Sequence, residues 1–216
     1  NSLELAKNNE NLNMFLEDSS MALIEPVSAS SVEDVEAYVT NLARIDEEHK
    51  SKEPILARSK ELDAWLHEQG ADPKKYSKYL AADIEQRYNE AREQIDSRKS
   101  ELDEEAVKQR QLSKLLQEFA TAANAYKEFI ESQNTDLNAE IEGTLEEQLQ
   151  TLKEKGAAAL EQNETQYAQL TDLIDQLEAA DVVEQTTVTL SEITTMYESL
   201  KTVVDKLTSA MENQIL

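Results

Sequence analysis

From Asp72 to Gly143 the chain reads DPKKYSKYLAADIEQRYNEAREQIDSRKSELDEEAVKQRQLSKLLQEFATAANAYKEFIESQNTDLNAEIEG. Between Pro73 and Gly143 lie 69 residues without a glycine or a proline. Within them an apolar residue recurs every three or four positions: Leu80, Ile84, Tyr88, Ala91, Ile95, Leu102, then Leu112, Leu116, Phe119, Ala123, Tyr126, Ile130, Leu137. Arg98 and Gln133 occupy the places where the series skips. Spacings of three and four place all of these on one stripe of an α-helix. Asp72 suits an N-cap, and Pro73 suits the first helical position, where its missing N–H costs nothing. An unbroken helix here would be about 100 Å long, too long for a compact globule of this size. Between Leu102 and Leu112 the stripe passes through Asp103, Glu104, Glu105, Lys108, Gln109 and Arg110. The reading is a helix that leaves one bundle and enters a second, with residues of about 100–114 in neither core. The expected fold is all-α and rod-like.

The flanks carry the same period. Residues 1–25 form a first helix with Leu5, Leu12, Phe15 and Ala22 or Leu23 inward, ended by Pro26 and a serine-rich run. A second runs from about Ser31 to Gly70 with Val32, Val35, Val39, Leu42, His49, Leu56, Ser59, Leu62 and Leu66 on its seam. Pro54 lies inside it, so a kink is expected near residues 50–54. After Gly143, Thr144 can cap a helix with Leu145, Leu149, Leu152, Leu160, Tyr167, Leu170, Ile174 and Leu177 inward. Gly156 sits on that seam and weakens its turn by roughly 1 kcal/mol relative to alanine. Residues 180–189 read as a loop, followed by a helix carrying Leu190, Ile193, Tyr197, Leu200, Val204, Leu207 and Met211. Phe15 and Phe129 are 114 residues apart, Tyr88 and Tyr197 109. Two three-helix units account for the chain, 1–106 and 107–216, because three helices are needed to close seams of this width.

Composition narrows the function. Twenty-one Lys+Arg against 45 Asp+Glu leave a net charge of −24, which disfavours nucleic acid and anionic lipid as partners. No cysteine is present, so no disulfide framework or Cys-ligated metal is expected, in keeping with a reducing compartment. Neither a signal peptide nor a run of 18 apolar residues occurs, so no membrane insertion is expected. The first residue is not methionine, as in a fragment of a longer protein. His49 and His67 lie five helical turns apart, too far for one metal, and His49 reads as a packed seam residue. Acid clusters such as Glu101, Asp103, Glu104 and Glu105 lack the turn that calcium ligation needs. Trp65, beside the seam residues Leu62 and Leu66, reads as a half-buried core edge. No phosphate loop or nucleophile elbow occurs, and no catalytic, cofactor or metal residue is assigned. The expectation is a non-enzyme.

A three-helix unit of this length, joined to its neighbour by a continuous helix, resembles a spectrin repeat. The agreement extends to motifs. FATAANAYKEFI, Phe119 to Ile130, resembles the opening of the last repeat of the α-actinin rod, with Phe129 where that family usually has tryptophan. GTLEEQL, Gly143 to Leu149, followed by Leu152-Lys153, resembles the start of that repeat's second helix, and MENQIL, Met211 to Leu216, its end. In the first unit Phe15 again stands in the tryptophan place. His49-Lys50 followed by Pro54 resembles the proline-broken helix of the family's first repeat. Tyr88 and Tyr197 take the aromatic place of the third helices; with Phe15 and Phe129 they are the expected core aromatics. The chain is thus similar to a short α-actinin rod with a first-type and a last-type repeat. That resemblance implies a cytoplasmic, cytoskeletal spacer and antiparallel homodimer, bound to actin filaments through flanking domains. It implies no cofactor in these residues, and calcium only if EF-hands follow.

Charge placement adds to this. Arg44–Lys78 carries eight bases against eight acids, whereas Glu128–Glu198 carries only Lys153 and Lys155 against 17 acids. An antiparallel pair sets the first stretch against the second, which makes Lys50, Lys52, Arg58, Lys60, Lys74 and Lys75 candidate contacts for Glu128, Glu131, Glu146 and Glu147. Opposed patches mainly select orientation, while apolar contact supplies affinity. A BAR-type membrane-curving dimer is the alternative, but it needs a basic face worth ~1 kcal/mol per Lys or Arg at an anionic surface. This chain has no basic stripe. A scaffold for other proteins is a further alternative that the same fold allows.

Overall fold

In the computed structural model, which describes all 216 residues, helices and their connections form the whole chain. Six α-helices follow in order: α1 Ser2–Ile24, α2 Val32–Ser51, α3 Glu53–Glu68, α4 Ala81–Asn138, α5 Leu145–Ala179 and α6 Leu190–Ile215. Single 3-10 turns lie at Pro73–Lys75 and Val183–Gln185. The chain divides into two compact units, Asn1–Arg110 and Gln111–Leu216.

Helix starts follow local chemistry. Ser31 accepts from the Asp34 N–H at 3.1 Å and opens α2. Thr144 and Glu147 form a reciprocal capping box at the start of α5, and Thr189 and Glu192 form another at α6. Each box satisfies two of the backbone donors that a helix start leaves unpaired. The break expected near Pro54 falls at Lys52, between α2 and α3, with Pro54 in the first turn of α3. There the missing N–H is one the helix would not have used.

The long helix is shorter at both ends than its sequence suggests. Asp72 does cap, accepting from the Lys74 N–H at 3.0 Å, but the segment it opens is only the Pro73–Lys75 turn. Helix α4 starts at Ala81 because the Tyr79 carbonyl is taken by Asn9 Nδ2 at 2.9 Å and by the Ser77 hydroxyl at 2.7 Å. From there α4 runs 58 residues without interruption.

In unit 2 one core holds Phe119, Tyr126, Phe129 and Ile130 of α4, Leu152, Leu170 and Leu177 of α5, and Ile193, Leu200 and Val204 of α6. Gly156 is buried, and a Cβ there would meet Val204 Cγ1 at 2.9 Å, so the glycine permits close α5–α6 approach. Its place on the seam is a packing requirement as well as a weak turn. Unit 1 has its apolar core in three groups: Leu5, Leu62 and Leu66; Leu12, Phe15, Leu56, Ile84 and Tyr88; and Val35, Leu42, Ile45, Ile95 and Leu102. Buried polar residues interleave with them along the helices. Asn9 and Ser59 fall between the first and second groups, Asp46 and His49 beside Ile45.

Several seam assignments shift. Val39 is 46% exposed, and Tyr38 packs on the core instead, so the α2 seam runs Val35, Tyr38, Leu42, Ile45, His49. Leu145 and Leu190, in the first turns of α5 and α6, are exposed. Ala22 is exposed, while Leu23 packs inward. The stretch expected to lie in neither core is partly in unit 1. Gln109 is buried, donating to the Ala29 carbonyl at 3.2 Å, and Ala106 packs beside Val27 and Ala29. Arg98 keeps its place on the seam because its guanidinium donates to the Leu23 carbonyl at 2.7 Å and also to that of Glu25. It thereby satisfies the C-terminal end of α1.

Candidate interaction surface

Surface grooves run beside Phe15 in unit 1 and Phe129 in unit 2. In unit 2 the groove lies between α4 and α5, floored by Phe129, Leu170 and Leu173 and edged by Gln117, Gln162, Gln166, Glu118 and Glu128. In unit 1 it lies between α1 and α2, floored by Phe15 and Ile45 and edged by Met14, Asp18, Arg44 and Lys52. Met14 is an exposed apolar side chain on its rim. Knobs seated on α-helices leave such grooves between neighbouring ridges, which a third helix can fill. Met14 and the glutamine edge are not marked by seam periodicity, since both lie off the apolar stripe.

The candidate charges divide by what already occupies them. Arg58 binds Glu4 at 2.8 Å and Glu61 at 3.3 Å, and Lys60 binds Glu85 at 2.6 Å. Lys50 lies 3.4 Å from Asp46. Lys52 donates to Asn11 at 2.9 Å and stands over the Phe15 ring at 5.8 Å, a cation–π arrangement. Glu147 belongs to the α5 capping box, its carboxylate accepting from the Thr144 N–H at 2.9 Å. Lys74, Lys75, Glu128, Glu131 and Glu146 are exposed and form no ion pair within the chain. Lys50–Asp46 and Thr144–Glu147 are local pairs that spacing can show, whereas the partners of Lys52, Arg58 and Lys60 on other helices depend on which faces meet.

The core aromatics have distinct surroundings. Phe15, Tyr88 and Phe129 are buried, while Tyr197 is half-buried against the unit 2 core. The Tyr197 ring stacks on Tyr167 with centroids 4.1 Å apart, and its hydroxyl donates to Glu164. That bond, with the nearby carboxylates, pushes the phenol up to about 12. Tyr126 is fully buried and donates to Asn163 Oδ1 at 2.6 Å; burial pushes its phenol up strongly. Asp46 is buried, which pushes its carboxyl up. Arg92 at 2.6 Å and Lys50 outweigh that and hold it at about 2. Trp65 is 42% exposed. No helix is long and apolar enough to cross a membrane.

No protein-family model matches the chain. It is similar to alpha-actinin-3 of Mus musculus, 26% identical over 230 residues that take in 99% of the chain and 25% of that relative. The chain thus spans about a quarter of the length of the curated relative it matches. This likeness, over an all-helical fold without strands, is distant, and it agrees with a spectrin-like architecture.

Proposed function

We propose that the chain is the spacer and antiparallel homodimerisation element of an actin-filament cross-linking protein, built from two spectrin-like repeats, 1–106 and 107–216. The observation that carries this reading is the likeness to alpha-actinin-3 across 99% of the chain. Charge supports the orientation: unit 1 holds the exposed Lys74 and Lys75, and unit 2 the exposed Glu128, Glu131 and Glu146. We place the α1–α2 groove of one copy against the α4–α5 groove of the other, whose rim carries the unpaired Glu128. Actin filaments would be bound by flanking domains, and calcium only by EF-hands outside these residues. The setting is the cytoskeleton.

The chain has no native cysteine, so single spin labels are clean probes. Lys74→Cys and Glu146→Cys are the suitable positions, because Lys60 and Glu147 have structural partners. The expected result is long like-to-like distances for each label and short distances in mixed dimers. Short like-to-like distances at both sites would mean a parallel dimer, and a monomer at micromolar concentration would remove the proposal.

A further inference from the structure

Both histidines of the chain lie in unit 1. His67 is exposed on α3, 3.3 Å from Asp63. His49 is 2% exposed, near the C-terminal end of α2. Its Nε2 lies 2.8 Å from the carbonyl oxygen of Tyr88, and the Tyr88 hydroxyl donates back to the His49 carbonyl at 2.7 Å. The two rings stack with centroids 3.9 Å apart. A carbonyl only accepts, so Nε2 carries the proton and the neutral ring leaves Nδ1 bare. Acid would therefore place the second proton on Nδ1.

That proton would charge a ring enclosed by aromatic groups. Helix α1 presents Phe15, with ring centroids 6.3 Å apart, and α4 presents the face of Tyr88. The charged groups around the pair are Asp46 and Lys50 on α2, Glu53 on α3, and Arg92 and Asp96 on α4. Asp46 is the nearest source of compensation on its own helix, but Arg92 at 2.6 Å, Lys50 and Lys99 already engage it. Asp96 is bound by Arg92 at 2.9 Å. Burial pushes the imidazole below its ordinary value and Arg92 adds to that, while the Tyr88 carbonyl and the two aspartates pull the other way.

Unit 2 solves the same packing problem without a titrating group. Asn163 lies 114 residues after His49, as Phe129 does after Phe15. It is fully buried, and its Nδ2 donates to the carbonyl of Tyr197 at 3.1 Å, as His49 does to that of Tyr88. Its amide oxygen accepts from Tyr126.

We propose that His49 is an acid-sensitive latch, through which unit 1, and not unit 2, loses stability in mild acid. The location favours this. The His49 carbonyl anchors both the Tyr88 hydroxyl and the Lys52 N–H, at the break between α2 and α3. There α2 gives way to α3 at Lys52, with Pro54 in the first turn of α3. A histidine whose folded-state value is depressed contributes stability that is present above its unfolded value of about 6.5 and lost as pH falls below it. In that window the folding equilibrium of unit 1 falls by up to roughly tenfold per pH unit. Asp46, held at about 2, titrates well below this range.

The test uses the full 216-residue chain. Trp65, the single tryptophan, lies in α3 and reports on unit 1 through its fluorescence. Urea midpoints measured between about pH 7.5 and about pH 5.5, spanning the ordinary histidine range, should fall with acid. His49→Asn, which installs the residue of unit 2, should abolish that slope, and His67→Asn should leave it unchanged. A wild-type midpoint independent of pH, or a His49→Asn chain with the wild-type slope, overturns the proposal. Should His49→Asn not fold, ring-carbon NMR of the folded wild type decides with the wild-type scans. The His49 resonances must titrate below those of an ordinary histidine, and a His49 that titrates at or above about 6.5 overturns it.

Discussion

At the scale of single residues, the decisive distinction is between an apolar side chain in the core and a polar one that has found partners there. Phe129 belongs to the first kind: it is buried in the unit 2 core beside Tyr126, with ring centroids 6.3 Å apart. Truncating a buried phenylalanine costs about 3–5 kcal/mol, so Phe129→Ala should strongly lower the thermal midpoint. Glu131→Ala, two residues on and exposed, should leave it nearly unchanged; equal effects would show that the seam is misassigned. Arg98 belongs to the second kind. Its guanidinium meets two carbonyls at the end of α1 and Glu101 at 3.2 Å. Arg98→Ala leaves those carbonyls without a charged donor, an effect of about 1.5–3 kcal/mol for hydrogen bonds of this type. Chemical denaturation of unit 1, followed by Trp65, should show a loss of that order, and Arg110→Ala, which lies exposed, should not.

At the scale of elements, the contacts between helices set limits that propensity does not express. Alanine is ordinarily about 1 kcal/mol better than glycine within a helix. At position 156 the added Cβ meets Val204, a β-branched side chain with little freedom to turn away. Overpacking of this kind costs about 1–3 kcal/mol, so Gly156→Ala should destabilise unit 2. The double variant Gly156→Ala, Val204→Ala should recover part of the loss relative to the sum of the single changes. Simple additivity in the double-mutant cycle would contradict the close approach. Helix α4 offers the complementary case. Proline in a helix interior costs about 3 kcal/mol or more through a lost bond and a clash with the preceding turn. Lys108→Pro should therefore separate the unfolding of the two units and also weaken the end of unit 1, where Ala106 and Gln109 pack against the segment around Ala29. One cooperative transition, unchanged from wild type, would mean that α4 does not couple them.

At the scale of the whole molecule, two compact units carry unequal charge. Residues 1–108 hold 14 bases against 25 acids, and residues 109–216 hold seven against 20. The division at Arg110 leaves each unit with its own buried cluster, so segments 1–110 and 111–216 should each fold when made separately. Under the proposed antiparallel pairing, the two isolated segments should associate with each other more strongly than either does with itself. Sedimentation of the mixture checks this, and preferred self-association of either segment would favour a parallel arrangement. Units bound through opposed charge should also associate more slowly as salt rises, since screening over about 10 Å at 0.1 M weakens steering.

The all-helical fold was legible because its signal is local: the three-and-four spacing of Ile84 through Leu137 needs no partner to be seen. The cap at Thr144 was equally local, and so was the break at Pro54, which a covalent ring imposes; the caps at Ser31 and Thr189 are local too but were not read from the sequence. Tertiary structure alone decided where α4 starts, because the Tyr79 carbonyl is claimed by Asn9, some 70 residues away along the chain. It also decided that Tyr38 rather than Val39 faces inward, and that Gln109 joins unit 1 through the Ala29 carbonyl. For the candidate surface, the list of charged residues came from sequence. Which charges remain free came from helix faces meeting: Arg58 and Lys60 are engaged by Glu4 and Glu85, while Lys74 and Lys75 are not. The physical reason is the same in each case. Period and capping act within a few residues, whereas a buried carbonyl or an ion pair is satisfied by whatever the packing of distant helices brings within about 3 Å.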